Sequence, residues 1–422
     1  MREMKDSGIE WIGEIPADWK IQPLKTISII LRGGSPRPIE EYMSADDNGY
    51  NWIRIGDSVK GSKYITSTLR KLIPEGLSKT RLIKKGSLIL SNSMSFGQPY
   101  ILGIDGCIHD GWVAFSEVTV NNEFLYYFLL SEMAKIQFQQ QVAGGVVLNL
   151  NVDKIGTTKI AIPDSAKQAS IVNFLDTECA RIDAVIEQTR SSIEEYKKLK
   201  QAIITQAVTK GVRPGRPMKD SGIEWIGEIA ADFDLQKLKY LTDILDQFRS
   251  PITADQRNQN AEVLYDYYGA SGAIDKIDGY TIDDHVMLIG EDGANLRMRN
   301  LPLMYEVNGK AWINNHAHIL KPKESTHFYY LFYALESINI NPYITGSAQP
   351  KLSQENLKNI WLPVPSYEEQ AEIANYLQVK MPEMDALIAK KNAFVEALEN
   401  YKHSIIYEYV TGKKEVPSAP IC

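Results

Sequence analysis

The sequence predicts an α+β protein made of two tandem units, each a strand-rich part followed by a long helix. Three observations predict it. A fifteen-residue segment occurs twice, at 4–18 (MKDSGIEWIGEIPAD) and 218–232 (MKDSGIEWIGEIAAD), with fourteen identities at an offset of 214. A second, weaker repeat relates 144–211 to 346–413 at an offset of 202. Between the two repeats lie segments, about 25–143 and 239–345, that share little else. A frame held fixed around diverging fillings suggests one mechanical job applied to two targets, and a solenoid would repeat at a shorter period.

The first repeat extends weakly, with Trp19 opposite Phe233 and Leu24 opposite Leu238. In the second, Leu150, Pro163, Gln168, Ile171, Leu175, Asp183, Ile186, Ile203, Ile204, Val208 and Thr209 match Leu352, Pro365, Gln370, Ile373, Leu377, Asp385, Ile388, Ile405, Ile406, Val410 and Thr411. The two offsets make the first filling twelve residues longer. Four segments follow: 1–150, 151–212, 213–352 and 353–422.

The fillings read as mixed with much strand, from runs such as 50–55 (YNWIRI), 87–90 (SLIL), 286–289 (VMLI) and 311–313 (AWI). The apolar stretches 126–130 and 328–332 read as short helices packed on them. Downstream, Ser165 with Gln168 and Ser366 with Glu369 have capping-box spacing, and prolines 163, 363 and 365 end the extended segment before each. A short helix is expected next, then a longer one. In the longer one Ile182, Ile186, Thr189, Ile193, Tyr196, Ile203 and Ala207 keep a 4-3 rhythm broken at Lys200. Met384, Ile388, Phe394 or Val395, Leu398, Tyr401, Ile405 and Tyr409 echo it. This is a coiled-coil-like seam, and two such helices most simply pair, over roughly 40 Å for some 28 residues. Pro382 fits the first turn of the long helix or else a kink. Residues 210–217 (KGVRPGRP) stop the first helix and link the units.

Composition is that of a globular protein, 44% hydrophobic and 23% charged. No apolar run nears the ~18 residues of a membrane span, and the start of the chain lacks a signal-peptide pattern. Cys107, Cys179 and Cys422 are far apart and odd in number, so neither a disulfide framework nor a metal set is expected, and a cytoplasmic setting is. Catalytic signatures are missing: no phosphate-cradling GxxxxGK[ST] occurs. Asn341-Pro342-Tyr343 lacks the second proline of the amino-methyltransferase motif and any glycine-rich cofactor loop before it. His316-Ala317-His318 reads as strand, one side chain in and one out, and Asp283-Asp284-His285 as an acidic turn. No enzyme activity, cofactor or metal is expected in this chain.

Net charge is −7, which argues mildly against nucleic acid, but the distribution is uneven. Between 54 and 85, nine bases (Arg54, Lys60, Lys63, Arg70, Lys71, Lys79, Arg81, Lys84, Lys85) meet two acids, Asp57 and Glu75. A solvated face and a phosphate-contacting face explain this equally well. Next comes 91–99 (SNSMSFGQP), where Asn92, Ser93, Ser95 and Gln98 can read base edges. Residues 237–345 hold ten bases against fourteen acids, and there only Arg297, Arg299, Asn314, Asn315 and His316 look like reading elements.

The chain resembles the specificity subunit of type I restriction-modification systems, over nearly its whole length. The resemblance is carried by the DSGIEWIGEIP-type opening at 6–16 and 220–230, and by Ile160-Ala161-Ile162-Pro163 with Gln168 and Leu362-Pro363-Val364-Pro365 with Gln370. Leu288-Ile289-Gly290-Glu291-Asp292-Gly293-Ala294 followed by Trp312-Ile313-Asn314-Asn315-His316-Ala317 adds to it. It implies pseudo-two-fold units, each with a target-recognition domain that reads one half of an interrupted, asymmetric site in double-stranded DNA. The long helices become an antiparallel spacer that sets the distance between half-sites. Two methyltransferase subunits and the restriction subunits are the implied partners. Methyl transfer with S-adenosylmethionine belongs to the methyltransferase. The helix-pairing residues expected are Ile182, Ile186, Ile193, Tyr196, Ile203, Ile388, Leu398, Tyr401 and Ile405. The competing reading is a coiled-coil assembly adaptor without direct DNA readout.

Overall fold

The structure is a computed structural model and describes residues 2–45, 48–59, 61–92, 97–142, 150–253, 255, 257 and 262–417. The chain divides into two compact units, Met1–Thr189 with Ala393–Cys422, and Arg190–Asn392. Each unit therefore takes the first part of one long helix and the last part of the other.

The repeated opening folds the same way twice. In the first unit the Asp6 carboxylate accepts the Gly8 amide (2.9 Å) and the Ser7 hydroxyl accepts the Ile9 amide (3.2 Å). In the second, Asp220 and Ser221 do this for Gly222 (3.0 Å) and Ile223 (3.2 Å). Gly8 and Gly222 have φ of +66° and +71°, a backbone that side chains resist, so the repeated glycine is conformational. Each opening leads into a strand that pairs antiparallel with the strand before the long helix, Lys20–Pro23 with Lys159–Ile162 and Asp234–Lys237 with Trp361–Val364.

The fillings differ in sequence but share a sheet order. In the first unit the order is Ile29–Arg32, Trp112–Ser116, Leu88–Ser91, Pro99–Leu102, Tyr64–Ile65. In the second it is Thr242–Ile244, Ala317–Pro322, Ile282–Gly290, Met304–Ile313, Tyr265–Gly269, with Gly272–Ile277 added at the edge. In each sheet these five strands have one parallel junction, between the fourth and fifth. The first unit adds a second sheet, Lys71–Leu72, Tyr50–Ile53, Gly106–Ile108, Arg81–Ile83. Ile53 and Ile108 from that sheet pack with Ile89, Tyr100, Leu102 and Trp112 of the larger one, all nearly dry. The alternating apolar faces of short strands fold only by burying one sheet on another layer.

The long helices are Ser165–Lys210 and Tyr367–Val410, each continuous, where a short helix followed by a longer one was expected. Pro382 lies inside the second helix on its exposed side, where water can take the carbonyl that its missing N–H leaves unpaired. The first-turn reading of Pro382 is thus overturned. In the first copy the cap is Asp164, whose carboxylate accepts the Lys167 amide (2.9 Å), one residue before the expected Ser165. Ser366 caps as expected, its hydroxyl accepting the Glu369 amide at 3.4 Å.

Within the first unit the Phe174 ring lies tilted against Tyr409 (4.4 Å between centroids) and Lys402 meets Asp183, so the two helices run antiparallel. Within the second unit Lys200 meets Asp385 and Lys391 lies over the Tyr196 ring (5.3 Å), again antiparallel. Lys200, which broke the seam's rhythm, is thus a pairing residue. Ile182, Ile186, Ile193, Val395 and Ile405 are buried. Tyr196, Ile203, Ile388 and Leu398 are half-buried. Tyr401 is 53% exposed and leaves the seam, as does Phe394 at 49%. At 3.6 residues per turn the three-residue step from Leu398 carries Tyr401 about 60° to the side away from buried Val395, and so off the buried face.

Candidate nucleic-acid interface

In both units the same end of the sheet gathers the same loops. In the first unit the chain leaving Leu88–Ser91 is held by the Asn92 amide on the Gly111 carbonyl (3.0 Å), and the Leu150 amide then donates to the Asn92 carbonyl (3.2 Å). In the second unit the Glu291 amide donates to the His316 carbonyl (2.8 Å), and the Leu352 amide to the Glu291 carbonyl (2.7 Å). Leu150 and Leu352 are matched residues of the repeat, so the frame fixes where this end lies while the loops supply its side chains.

In the first unit this end is completed by residues 32–38. The Gly33 amide donates to the Trp112 carbonyl (2.9 Å), and a Cβ on Gly33 would lie 2.1 Å from the His109 carbonyl oxygen. Only glycine passes there, and the chain then runs through half-buried Ser35 and buried Pro36 to exposed Arg37. The Ser35 hydroxyl donates to Asp110 Oδ1 (2.6 Å), and Arg37 lies 3.6 Å from Asp110 Oδ2. The Ser35 hydroxyl also holds the Asp110 carboxyl below the usual carboxylate range. Burial lowers the pKa of His109, favouring its neutral form, and the amides of Ile55 and Gly111 face its ring nitrogens. Arg37, Trp52, Arg54, His109 and Asp110 line a cleft of about 480 Å³.

The basic stretch does not form one bare cationic face. Lys63 is drawn inward to Asp176 (2.5 Å) and lies over the Tyr127 ring (5.0 Å). Arg54 closes on Asp57, and Lys84 pairs with Asp105 (2.7 Å). Lys71 is half-buried in its strand, and Arg70 faces Glu40 at 3.8 Å. Lys79, Arg81 and Lys85 are exposed, with Arg81 Nε donating to the Arg32 carbonyl (2.7 Å). Asn92 is buried and its amide donates to the Asp110 carbonyl (3.2 Å), while Gln98 is half-buried. Lys60, Ser93 and Ser95 lie outside the described residues.

In the second unit Arg297, Asn315 and His316 are exposed at the loop end. Arg297 donates to the Gly346 carbonyl (3.1 Å), and His316 Nδ1 lies 2.8 Å from Asp292. Asn314 is buried and accepts the His316 amide (2.8 Å). Arg299 turns inward with φ +51° to Glu336. Lys63, Asn92, Arg299 and Asn314 therefore serve the fold in this arrangement, a correction to their expected surface role. A base whose acid partner is far along the chain looks unpaired in sequence. Arg37 and Asp110 lie 73 residues apart, so nothing in the sequence placed them together, and the one signal there was the Gly33-Gly34 pair beside two prolines.

The model of the type I restriction modification DNA specificity domain matches residues 16–195 and 234–397. The chain belongs to that family. The two matched stretches correspond to the two copies of the repeat. Among relatives of this specificity subunit, a Methanocaldococcus jannaschii chain provisionally assigned as the MjaX specificity subunit is 26% identical over 96% of both chains. The MjaVIII specificity subunit of the same organism is 22% identical over 95% of this chain and 94% of that one. A chain solved in work on complex assembly and conformational transition of the type I R-M system superposes with a TM-score of 0.74 at 15% identity, covering 95% of this chain and 99% of that one. The HsdS subunit from Thermoanaerobacter tengcongensis gives 0.51 at 16% identity, covering 95% and 98%. These two show a shared fold. As a member of this family the chain is a DNA sequence-specificity subunit, and catalysis is not its part.

Proposed function

We propose that each unit reads one half of an interrupted, asymmetric site in double-stranded DNA through its loop end. The observation that supports this most is the pairing of one frame with two unlike sets of exposed side chains, Arg37 with Asp110 in one unit and Arg297, Asn315 and His316 in the other. Direct readout needs unlike donor and acceptor sets for unlike bases, whereas positioning needs a constant frame. Two methyltransferase subunits dock on the repeated frame, and restriction subunits join them. Methyl transfer, with S-adenosylmethionine, is the methyltransferase's work.

A cytoplasmic setting fits the free, buried thiols of Cys107 and Cys179. No helix among the described residues is long and apolar enough to cross a membrane.

The test is to sequence host DNA with and without the gene by a method that reports N6-methyladenine. Loss of one interrupted motif is the expected result. An unchanged methylome with an active methyltransferase gene would favour an assembly adaptor instead.

A further inference from the structure

We propose that Arg37, oriented by Asp110, is the residue with which the first unit reads the guanine of a G·C pair in the major groove. This rests on the DNA-reading role given to the loop ends above.

Arg37 is placed as a reading residue should be. Its side chain is 83% exposed at the loop end, beside the cleft lined by Trp52 and His109. Of the bases nearby, the Arg54 guanidinium donates to Asp57 through Nε and Nη2 (both 3.4 Å) and Lys84 pairs with Asp105 (2.7 Å). Arg37 stands between Pro36 and Pro38, and a residue before proline is itself restricted, so the backbone of 35–38 has little freedom to lose on binding.

The carboxylate beside it decides between base and phosphate. Asp110 Oδ2 lies 3.6 Å from the guanidinium, while Oδ1 is fixed by the Ser35 hydroxyl at 2.6 Å. A fixed anion at this point repels a phosphate. It suits a base-pair edge, because the guanidinium fork donates to guanine O6 and N7 and a carboxylate accepts from cytosine N4. Asp110 and Ser35 act through Arg37, as positioning residues.

The test uses the full chain assembled with its methyltransferase subunit, and selects bound duplexes from a pool of randomised sequence. Arg37→Ala is expected to lose the preference for one guanine, in one half-site, with every other position and the other half unchanged. Binding to the wild-type site should weaken roughly 10- to 100-fold. Binding to a site with that guanine replaced should change little. Asp110→Asn should relax the same position and no other. The intact second half-site reports that each variant is folded. An even loss across the motif would overturn the proposal. A wild-type complex that selects no motif would sink the underlying reading and the proposal with it. A clear wild-type motif that Arg37→Ala leaves unchanged would sink the proposal alone.

Discussion

Lys402 places its ammonium 2.7 Å from both carboxylate oxygens of Asp183, and the residues matched to them by the repeat, Lys200 and Asp385, form the corresponding pair. The pairing of the long helices is thus written in a repeated acid and a base that answers it from the opposite helix. Asp183 is about half exposed, so each pair contributes modestly, about 0.3–1 kcal/mol. Asp183→Lys should lower thermal stability by a few degrees at most, and adding Lys402→Asp should restore most of the loss. A double variant no more stable than the sum of its singles in melting experiments would show that the pair does not couple.

Gln168 and Gln370 should matter far more. Each is buried, and each carries its amide to the carbonyl of the proline five residues earlier, Pro163 (2.8 Å) and Pro365 (3.0 Å). Each side-chain oxygen accepts a backbone amide from the recognition part, of Asn121 and of His327, both at 2.8 Å. Leucine in either place would leave a carbonyl and an amide buried without partners, at about 1–3 kcal/mol for each group left unsatisfied. Gln370→Leu should therefore lower the midpoint of urea unfolding clearly. An unchanged midpoint would show that these two bonds carry little of the stability.

The frame was legible in the sequence and the loop end proposed to read DNA was not, for different reasons. A repeat reports on itself, since identical residues at a fixed offset, such as Gly8 with Gly222 or Gln168 with Gln370, imply identical local bonds. The seam was legible as far as periodicity reaches, through Ile182, Ile186 and Ile193, and it failed at Tyr401, where the three-residue step from Leu398 turns the side chain out. The common five-strand order was invisible because strands such as Leu88–Ser91 and Ile282–Gly290 share only apolar character. The exposed loop end is built from contacts between distant residues, and Lys63 looked like a phosphate ligand because Asp176 lies 113 residues away.

The buried ionic cluster of the second unit predicts acid sensitivity. Asp246 accepts from His318 (2.7 Å), the Ile319 amide (3.1 Å) and Gln354 (3.1 Å), and Glu291 pairs with Arg249 and Lys351. Burial pushes the Asp246 carboxyl up, but His318, the Ile319 amide and Arg249 outweigh it and bring it below its ordinary value. Burial likewise opposes, and Arg249, Lys351 and His318 outweigh, at Glu291. A carboxyl whose folded pKa is depressed stabilises the fold fully above its unfolded value, about 4, and that stabilisation is lost as pH falls through the folded value. Stability should thus fall below about pH 4, and Asp246→Asn should be less stable at pH 7 with a shallower acid dependence. An unchanged slope in the variant would remove Asp246 from the account.

The continuous helices predict how spacing can be changed. Because Asp183 answers Lys402 and Asp385 answers Lys200, a length change in one helix alone would slip one pair against the other. Removing one heptad from 185–200 should therefore need a matching removal from the second helix to keep the chain folded. The doubly shortened chain should recognise the same two half-sites with fewer bases between them, by about two helical turns of protein, roughly 10 Å, or three base pairs. An unchanged gap in the selected motif would mean that the helices do not set it.

Exchange of a whole filling is the most demanding prediction, because it needs the frame to be indifferent to what it holds. The junctions favour this. The Leu24 amide donates to the Thr158 carbonyl (2.9 Å) and the Leu238 amide to the Ile360 carbonyl (2.8 Å), and both leucines are fully buried. Residues 239–345 begin just past such a junction and end before Leu352, whose amide bond to Glu291 has its counterpart at Leu150 and Asn92. A filling with the same strand order should therefore seat between the same anchors. Replacing 239–345 with the corresponding segment of another family member should change one half of the selected motif and leave the other half and the gap as they were. A folded chimaera in which both halves change would show that the fillings read DNA jointly, and the frame would then be more than a holder.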